Sequence, residues 1–165
     1  MTTDGEYTRI LEQNERFAEA FDRSALTAAP LTGLAILTCM DARILVEDAL
    51  GLRVGDAHII RNAAGLASED AIRSLIVSQQ LLGTREIIVI AHTRCGLHGA
   101  DEDDLRERVE LSTGSSTEMG FGAFADLDEM VREQVEILRD EPAILDVPIR
   151  GLVYEVETGR LRPVA

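Results

Sequence analysis

The chain contains 165 residues with a net charge of −14, and all 16 of its basic residues are arginine. The absence of lysine excludes Schiff-base lysine chemistry, a P-loop lysine and a catalytic lysine base. The acidic composition without a basic stripe argues against nucleic acid and anionic membranes as partners.

The first half of the chain shows alternating helix and strand patterns. An amphipathic helix is predicted over residues 6–23, within an N-terminal helical arm over residues 1–30. Apolar runs and helix-end signals then predict strand, helix, strand, helix and strand, at residues 34–38, 45–50, 56–62, 68–83 and 86–91. Ser68 and Gly83 are the predicted caps of the longer helix. This order predicts an α/β fold with a central, mainly parallel sheet flanked by helices.

The second half continues this pattern beyond an acidic run. An exposed helix is predicted over residues 101–110, followed by a loop rich in Gly, Ser and Thr over residues 112–122. Helical spacing of Phe124, Leu127, Val131, Val135 and Leu138 predicts a helix over residues 123–139. The chain is then predicted to end with a strand, a turn at residues 157–159 and a short returning strand.

Length and the character of the N-terminus predict domain organisation and location. A chain of this size is most simply a single domain over residues 1–165. No stretch approaches the roughly 18 uninterrupted apolar residues of a membrane helix. The polar N-terminus lacks the apolar core of a secretory signal. We therefore expect a cytoplasmic protein whose two cysteines do not form a disulfide framework.

Both cysteines follow predicted buried strands. Cys39 follows strand 34–38, and His92 and Cys95 follow strand 86–91. If these strands are neighbours, the three side chains converge at the carboxyl ends of a parallel sheet, where ligands and catalytic groups gather. Two thiolates and one imidazole suit Zn²⁺, and three protein ligands with an open fourth position are typical of catalytic zinc. The sequence thus predicts one Zn²⁺ per chain.

Asp41 and Arg43 lie directly after the first cysteine. A zinc ion with two thiolate ligands has a formal charge near zero and polarises water weakly. Asp41 is the candidate to orient that water and take its proton. An unrestrained Asp41 could instead occupy the fourth zinc position, and a two-pronged salt bridge from Arg43 would hold it away. Water and Asp41 both remain candidates for the fourth ligand.

Three short motifs resemble those of the β-class carbonic anhydrases: "CMDAR" at 39–43, "RNAAG" at 61–65 and "HTRCG" at 92–96. The resemblance implies a zinc enzyme built on a mainly parallel sheet, working as a dimer, a tetramer or a larger oligomer with active sites near the subunit interface. It also implies that the N-terminal helix packs on the partner subunit. The residue roles it implies are zinc ligands at Cys39, His92 and Cys95, and a catalytic pair at Asp41 and Arg43.

The mechanism implied by the resemblance is reversible hydration of CO2 to bicarbonate, in which zinc-bound hydroxide oriented by Asp41 attacks carbon. Two further residues are candidates for substrate binding, Gly96 through its backbone N–H and Arg61 through a match to a bicarbonate-site arginine. That site also uses a tryptophan in some family members, and this chain has none. His98 is a candidate proton shuttle, because imidazole titrates near neutral pH.

Several alternatives remain open at this point. Carbonyl sulfide and carbon disulfide are also linear molecules with an electrophilic carbon, so a hydrolase of either could use the same zinc site. A noncatalytic protein with structural zinc could take His98 as a fourth ligand. A redox-sensing interaction protein could pair Cys39 with Cys95. Arg94 is either a surface charge, a pocket-mouth residue or a partner for an acidic neighbour.

Overall fold

A five-stranded sheet forms the centre of the protein. The computed structural model describes the backbone of residues 3–165 and the side chains of residues 5–165. The strand order is β2-β1-β3-β4-β5, with β4 and β5 antiparallel and the other neighbours parallel. The strands span Leu34–Cys39 (β1), Ala57–Asn62 (β2), Glu86–His92 (β3), Ile149–Glu155 (β4) and Arg160–Pro163 (β5). This arrangement confirms the predicted α/β class.

Five helices surround or extend from the sheet. They span Thr3–Glu19 (α1), Val46–Leu50 (α2), Glu69–Leu82 (α3), Glu102–Thr113 (α4) and Leu127–Asp140 (α5). A short 3₁₀ turn, Ala63–Gly65, follows β2. The predicted caps are confirmed at α3, where the Ser68 hydroxyl accepts the Ala71 N–H and Gly83 ends the helix in the left-handed conformation.

The core lies on both faces of the central strands. β1 and β3 are buried almost throughout, which explains why their apolar residues show no alternation. One face packs against α3 and α5, with Leu37, Leu75 and Leu138 fully buried. The other face packs against α2 and the 3₁₀ turn through Ile36 and Val46. The sheet is therefore a rigid platform for the loops at its carboxyl edge.

Several predicted helix boundaries are wrong. Helix α4 ends at Thr113 rather than residue 110, so the first residues of the predicted loop over 112–122 are helical. The N-terminal helix begins at Thr3 rather than residue 6. The N-terminal helix ends at Glu19 rather than residue 23. Helix α5 begins at Leu127 rather than residue 123, because the Asp126 carboxylate accepts the Glu129 N–H and caps the helix there. Phe124 therefore lies outside the helix, where its ring stacks on His98.

The N-terminal helix makes little contact with the rest of the chain. Every residue from 5 to 28 is exposed, and the exposed apolar side chains include Ile10, Phe17 and Phe21. In the part of the chain that the structure describes, no helix is both long and apolar enough to cross a membrane.

Gly65 brings the 3₁₀ turn against the end of β1. Its φ is +74°, and a Cβ at this position would lie 2.9 Å from the carbonyl carbon of Thr38 and 3.1 Å from the backbone nitrogen of Cys39. Gly51 is also left-handed, with φ of +66°, but a Cβ there would meet nothing within 4 Å. The glycine of "RNAAG" is thus required by close packing as well as by backbone conformation.

We predict that Gly65→Ala destabilises the protein more than Gly51→Ala. Gly51→Ala introduces left-handed strain alone and should lower the free energy of unfolding by about 1–2 kcal/mol. Gly65→Ala adds a clash with the backbone of β1, which should cost about a further 1–3 kcal/mol. Urea denaturation of both variants measures the difference. Equal losses would contradict the close-packing role of Gly65.

Candidate metal centre

The parallel pairing of β1 and β3 brings the predicted metal ligands together. Thr38 is paired with Ile90, so Cys39 at the end of β1 and His92 at the end of β3 emerge at the same edge of the sheet. Cys95 lies in the loop that follows β3. The strands are therefore neighbours, as the predicted convergence requires.

Cys39, His92 and Cys95 form one compact group of buried ligands. Their sulfur and imidazole nitrogen atoms all lie within 4.8 Å of one another. The three residues are 5%, 1% and 8% exposed, and both cysteines are free thiols. Two sulfurs and one imidazole at this separation match the donor set that Zn²⁺ prefers.

The hydrogen bonding of His92 leaves one ring nitrogen available to a metal. Nδ1 lies 2.9 Å from the carbonyl oxygen of Thr93, which can only accept, so Nδ1 carries the proton of the neutral ring. Nε2 is then an acceptor, and it is buried without a hydrogen-bond partner among the described residues. An unsatisfied buried acceptor is unfavourable, whereas coordination of a metal satisfies it. The residues present therefore fit a zinc ion.

The groups around Cys39 lower the pKa of its thiol. Burial raises the pKa of the Cys39 thiol, but the neighbouring His92 imidazole and the backbone N–H groups of Asp41 and Ala64 outweigh it and lower the pKa overall. Burial alone would lower the pKa of His92, but the adjacent Cys39 raises the pKa of this imidazole overall. Burial and the negative charge of Cys39 raise the pKa of Cys95. The second thiol thus needs a further cation to ionise.

Asp41 is held beside the metal ligands by Arg43. The guanidinium of Arg43 donates from Nε to Oδ1 at 2.9 Å and from Nη2 to Oδ2 at 2.7 Å, and the Arg43 backbone N–H also donates to Oδ1. These bonds hold the pKa of Asp41 well below its usual range, so the carboxylate is ionised at neutral pH. Its Oδ2 lies 3.8 Å from Nε2 of His92. The predicted two-pronged salt bridge is present.

Arg61 binds the backbone of the "CMDAR" loop. Its guanidinium donates to the carbonyl oxygens of Cys39, Asp41 and Ile44, at 2.9, 2.7 and 3.3 Å. These three bonds tie the end of β1 to the loop that follows it. A role for Arg61 in substrate binding stays a prediction.

His98 and Gly96 lie outside the group of metal ligands. Nε2 of His98 is 3.0 Å from the carbonyl oxygen of Ala125, and the ring stacks on Phe124 with centroids 5.2 Å apart. Gly96 is exposed, and a Cβ there would have no neighbour within 4 Å. The proton-shuttle role of His98 and the substrate role of Gly96 stay predictions.

Sequence reasoning missed one contributor to this site, Glu157. Its carboxylate accepts a hydrogen bond from Thr93 and forms an ion pair with Arg94, which joins the histidine–cysteine loop to the turn after β4. The hydrogen bond from Thr93 and the positive charge of Arg94 lower the pKa of Glu157. No local pattern marks a glutamate in a turn as a partner for a loop far away in the chain.

The chain matches a known protein family and several of its members. The model of the family described as "Carbonic anhydrase" matches residues 34–119, more than half of the chain. β-carbonic anhydrase 1 of Mycobacterium tuberculosis is 38% identical over 165 residues, covering 99% of both chains. A carbon disulfide hydrolase of Acidianus sp. is 41% identical over 152 residues, covering 77% of this chain and 74% of the hydrolase.

The fold is shared with a solved structure at comparable identity. The crystal structure of a carbonic anhydrase from Streptococcus mutans superposes with a TM-score of 0.92 at 39% identity. The match covers 96% of this chain and 97% of that one. The chain therefore belongs to the β-carbonic anhydrase family of enzymes.

Proposed function

We propose that this protein catalyses the reversible hydration of CO2 to bicarbonate, with one Zn²⁺ per chain held by Cys39, His92 and Cys95. The observation that carries the proposal is the buried convergence of these three ligands within 4.8 Å, with Nε2 of His92 lacking any other described partner. The carboxylate of Asp41 lies beside them and is held by Arg43. Structural and redox sites have no need of this carboxylate–guanidinium pair.

The proposed mechanism assigns a separate task to each residue. Zinc, when bound, supplies a Lewis acid that makes water nucleophilic near neutral pH. Asp41 Oδ2 would accept a hydrogen bond from the attacking water and orient it toward the carbon of CO2, and the proton released as bicarbonate forms would leave to solvent. Arg43 occupies both carboxylate oxygens of Asp41, which keeps this residue from acting as a metal ligand.

Carbon disulfide hydrolysis is the second candidate function. The identities of the carbonic anhydrase and hydrolase relatives, 38% and 41%, do not separate the two. The match extends over 99% of the mycobacterial carbonic anhydrase and 74% of the hydrolase, which supports CO2 as the first choice of substrate. Carbonyl sulfide, a third linear substrate, stays a prediction.

We also propose that the protein self-associates through α1. The helix has 17 residues, and its apolar side chains at Ile10 and Phe17 are 56% and 52% exposed. An isolated helix of this length is marginally stable in water, and its stability in proteins comes from packing of its apolar face. A second copy of the chain supplies that packing, in a dimer or tetramer. Location in the cytoplasm and a single domain over residues 1–165 stay predictions.

The substrate is tested by measuring turnover of CO2, carbon disulfide and carbonyl sulfide side by side with the zinc-loaded protein. We expect CO2 hydration to have the highest kcat/KM of the three, within the roughly 10⁴–10⁸ M⁻¹s⁻¹ range of enzymes. Efficient hydrolysis of either sulfur compound with poor CO2 hydration would overturn the first proposal and favour the second.

The roles of Asp41 and Cys39 are separated by two variants. Asp41→Asn should retain one zinc per chain and lose about 10²-fold or more in kcat, because the amide presents a weaker acceptor to the water. Cys39→Ser should lose both zinc and activity, because a thiolate ligand is removed. Elemental analysis and stopped-flow hydration assays measure these effects. An Asp41→Asn protein with full activity refutes the role of the carboxylate.

Self-association is tested with two double variants, one on each of two opposite faces of α1. The double variant Ile10→Ser/Phe17→Ser should shift the protein toward the monomer, because the apolar stripe is lost. The control Glu12→Ser/Arg16→Ser changes the polar face and should leave the assembly intact. Analytical ultracentrifugation gives the molecular mass of each. A wild-type protein that sediments as a monomer would rule this interface out.

A further inference from the structure

The turn between β4 and β5 lies beside the loop that carries two of the proposed metal ligands. β3 and β4 are parallel, with His92 paired to Tyr154, so the turn at residues 156–159 emerges next to residues 93–95. One oxygen of Glu157, Oε2, accepts a hydrogen bond from the Thr93 hydroxyl at 2.7 Å. The other, Oε1, pairs with Nε of Arg94. A single carboxylate therefore holds two consecutive residues of the loop.

Thr93 connects this turn to His92. Its backbone N–H donates to Tyr154 at 3.0 Å, and its hydroxyl oxygen accepts the Val156 N–H at 3.1 Å while donating to Glu157. Its carbonyl oxygen accepts the proton on Nδ1 of His92. The position of that carbonyl sets the orientation of the ring and presents Nε2 to the other two ligands.

Arg94 connects the same turn to Asp41. Its φ is +54°, in the left-handed region that a residue with a side chain rarely adopts. In this conformation its carbonyl oxygen accepts a hydrogen bond of 2.9 Å from Nη2 of Arg43, and the same nitrogen donates to Oδ2 of Asp41. In this left-handed conformation the side chain of Arg94 forms its ion pair with Glu157.

The exposure of the ion pair indicates that its role is geometric. The side chains of Arg94 and Glu157 are 72% and 39% exposed, and ion pairs in such surroundings add little to stability. Variants of Glu157 are therefore expected to fold. The contacts of Glu157 are with the side chains of Thr93 and Arg94. The carbonyl groups of the same two residues accept hydrogen bonds from His92 and Arg43.

We propose that Glu157 is a positioning residue of the metal centre. It keeps Arg94 in the left-handed conformation, so that Arg43 retains its carbonyl acceptor and holds Asp41 away from the open metal position. Without Glu157, the carboxylate of Asp41 is released and competes with external ligands for that position. This inference rests on the proposed function for its consequences in catalysis, while the hydrogen bonds themselves can be tested separately.

The test compares Glu157→Ala with the control Glu155→Ala. Glu155 lies in the same hairpin, but its carboxylate accepts a hydrogen bond from Thr158 instead. Both variants are loaded with Co²⁺ and titrated with azide, followed by visible absorption. Azide affinity should fall about 10-fold in Glu157→Ala, the usual scale for loss of an outer-shell partner. It should stay unchanged in Glu155→Ala. An unchanged affinity in Glu157→Ala overturns the proposal.

A double variant distinguishes positioning from general distortion. In an Asp41→Asn background no carboxylate can compete for the metal, so adding Glu157→Ala should leave azide affinity unchanged. The same 10-fold loss in this background would overturn the proposal, because the effect would then not pass through Asp41.

A readout that needs no metal completes the test. The Nε–H of Arg43 donates to Asp41, and its ¹⁵N-correlated signal can be assigned by its loss in Arg43→Lys. Solvent exchange of this proton should accelerate about 10-fold or more in Glu157→Ala and not in Glu155→Ala. Unchanged exchange refutes the positioning role even if the protein hydrates CO2. Faster exchange in a protein that does not hydrate CO2 refutes the proposed function and leaves the positioning role standing.

Discussion

The parallel pairing of β1 and β3 is the constraint on which the rest of the site depends. Cys39 and His92 are far apart in the chain, and the shared register of the two strands brings them to the same edge of the sheet. A shift of one residue in this register would turn every side chain of a strand to the opposite face. Both strands are buried on both faces, and the packing of α3 and α5 holds the register. The rigidity of the candidate metal centre is thus a property of the sheet.

Around this rigid edge, the loops are held through their backbone carbonyls. Arg61 donates to one carbonyl at the end of β1 and to two in the loop that follows. Arg43 bridges the Asp41 carboxylate and the carbonyl of Arg94. Arginine suits this task, because its planar guanidinium presents several donors in a fixed arrangement. These contacts hold the loop after β1 against the loop after β3, and they place Asp41 next to His92 at the edge of the candidate metal centre.

The N-terminal helix contrasts with this tightly bonded edge. The hydrophobic core on the two faces of the sheet is complete without α1, and the helix exposes its apolar side chains to solvent. Burial of apolar surface is the dominant favourable term in association as in folding. The same physical effect accounts for the compact sheet and supports the proposed packing of α1 on a second copy of the chain.

Local patterns in the sequence determined the strands, the caps of α3 and the candidate ligands, because apolar periodicity, cap residues and short motif spacings act over a few residues. The predicted start of α5 was wrong because Phe124 fits the helical spacing but lies in a loop. An apolar residue at that spacing can also pack from a loop. Tertiary structure alone decided the contacts of Glu157 and the left-handed conformation of Arg94. Those depend on two loops meeting at the edge of the sheet, and hydrogen bonds between residues about 60 positions apart leave no periodic signal.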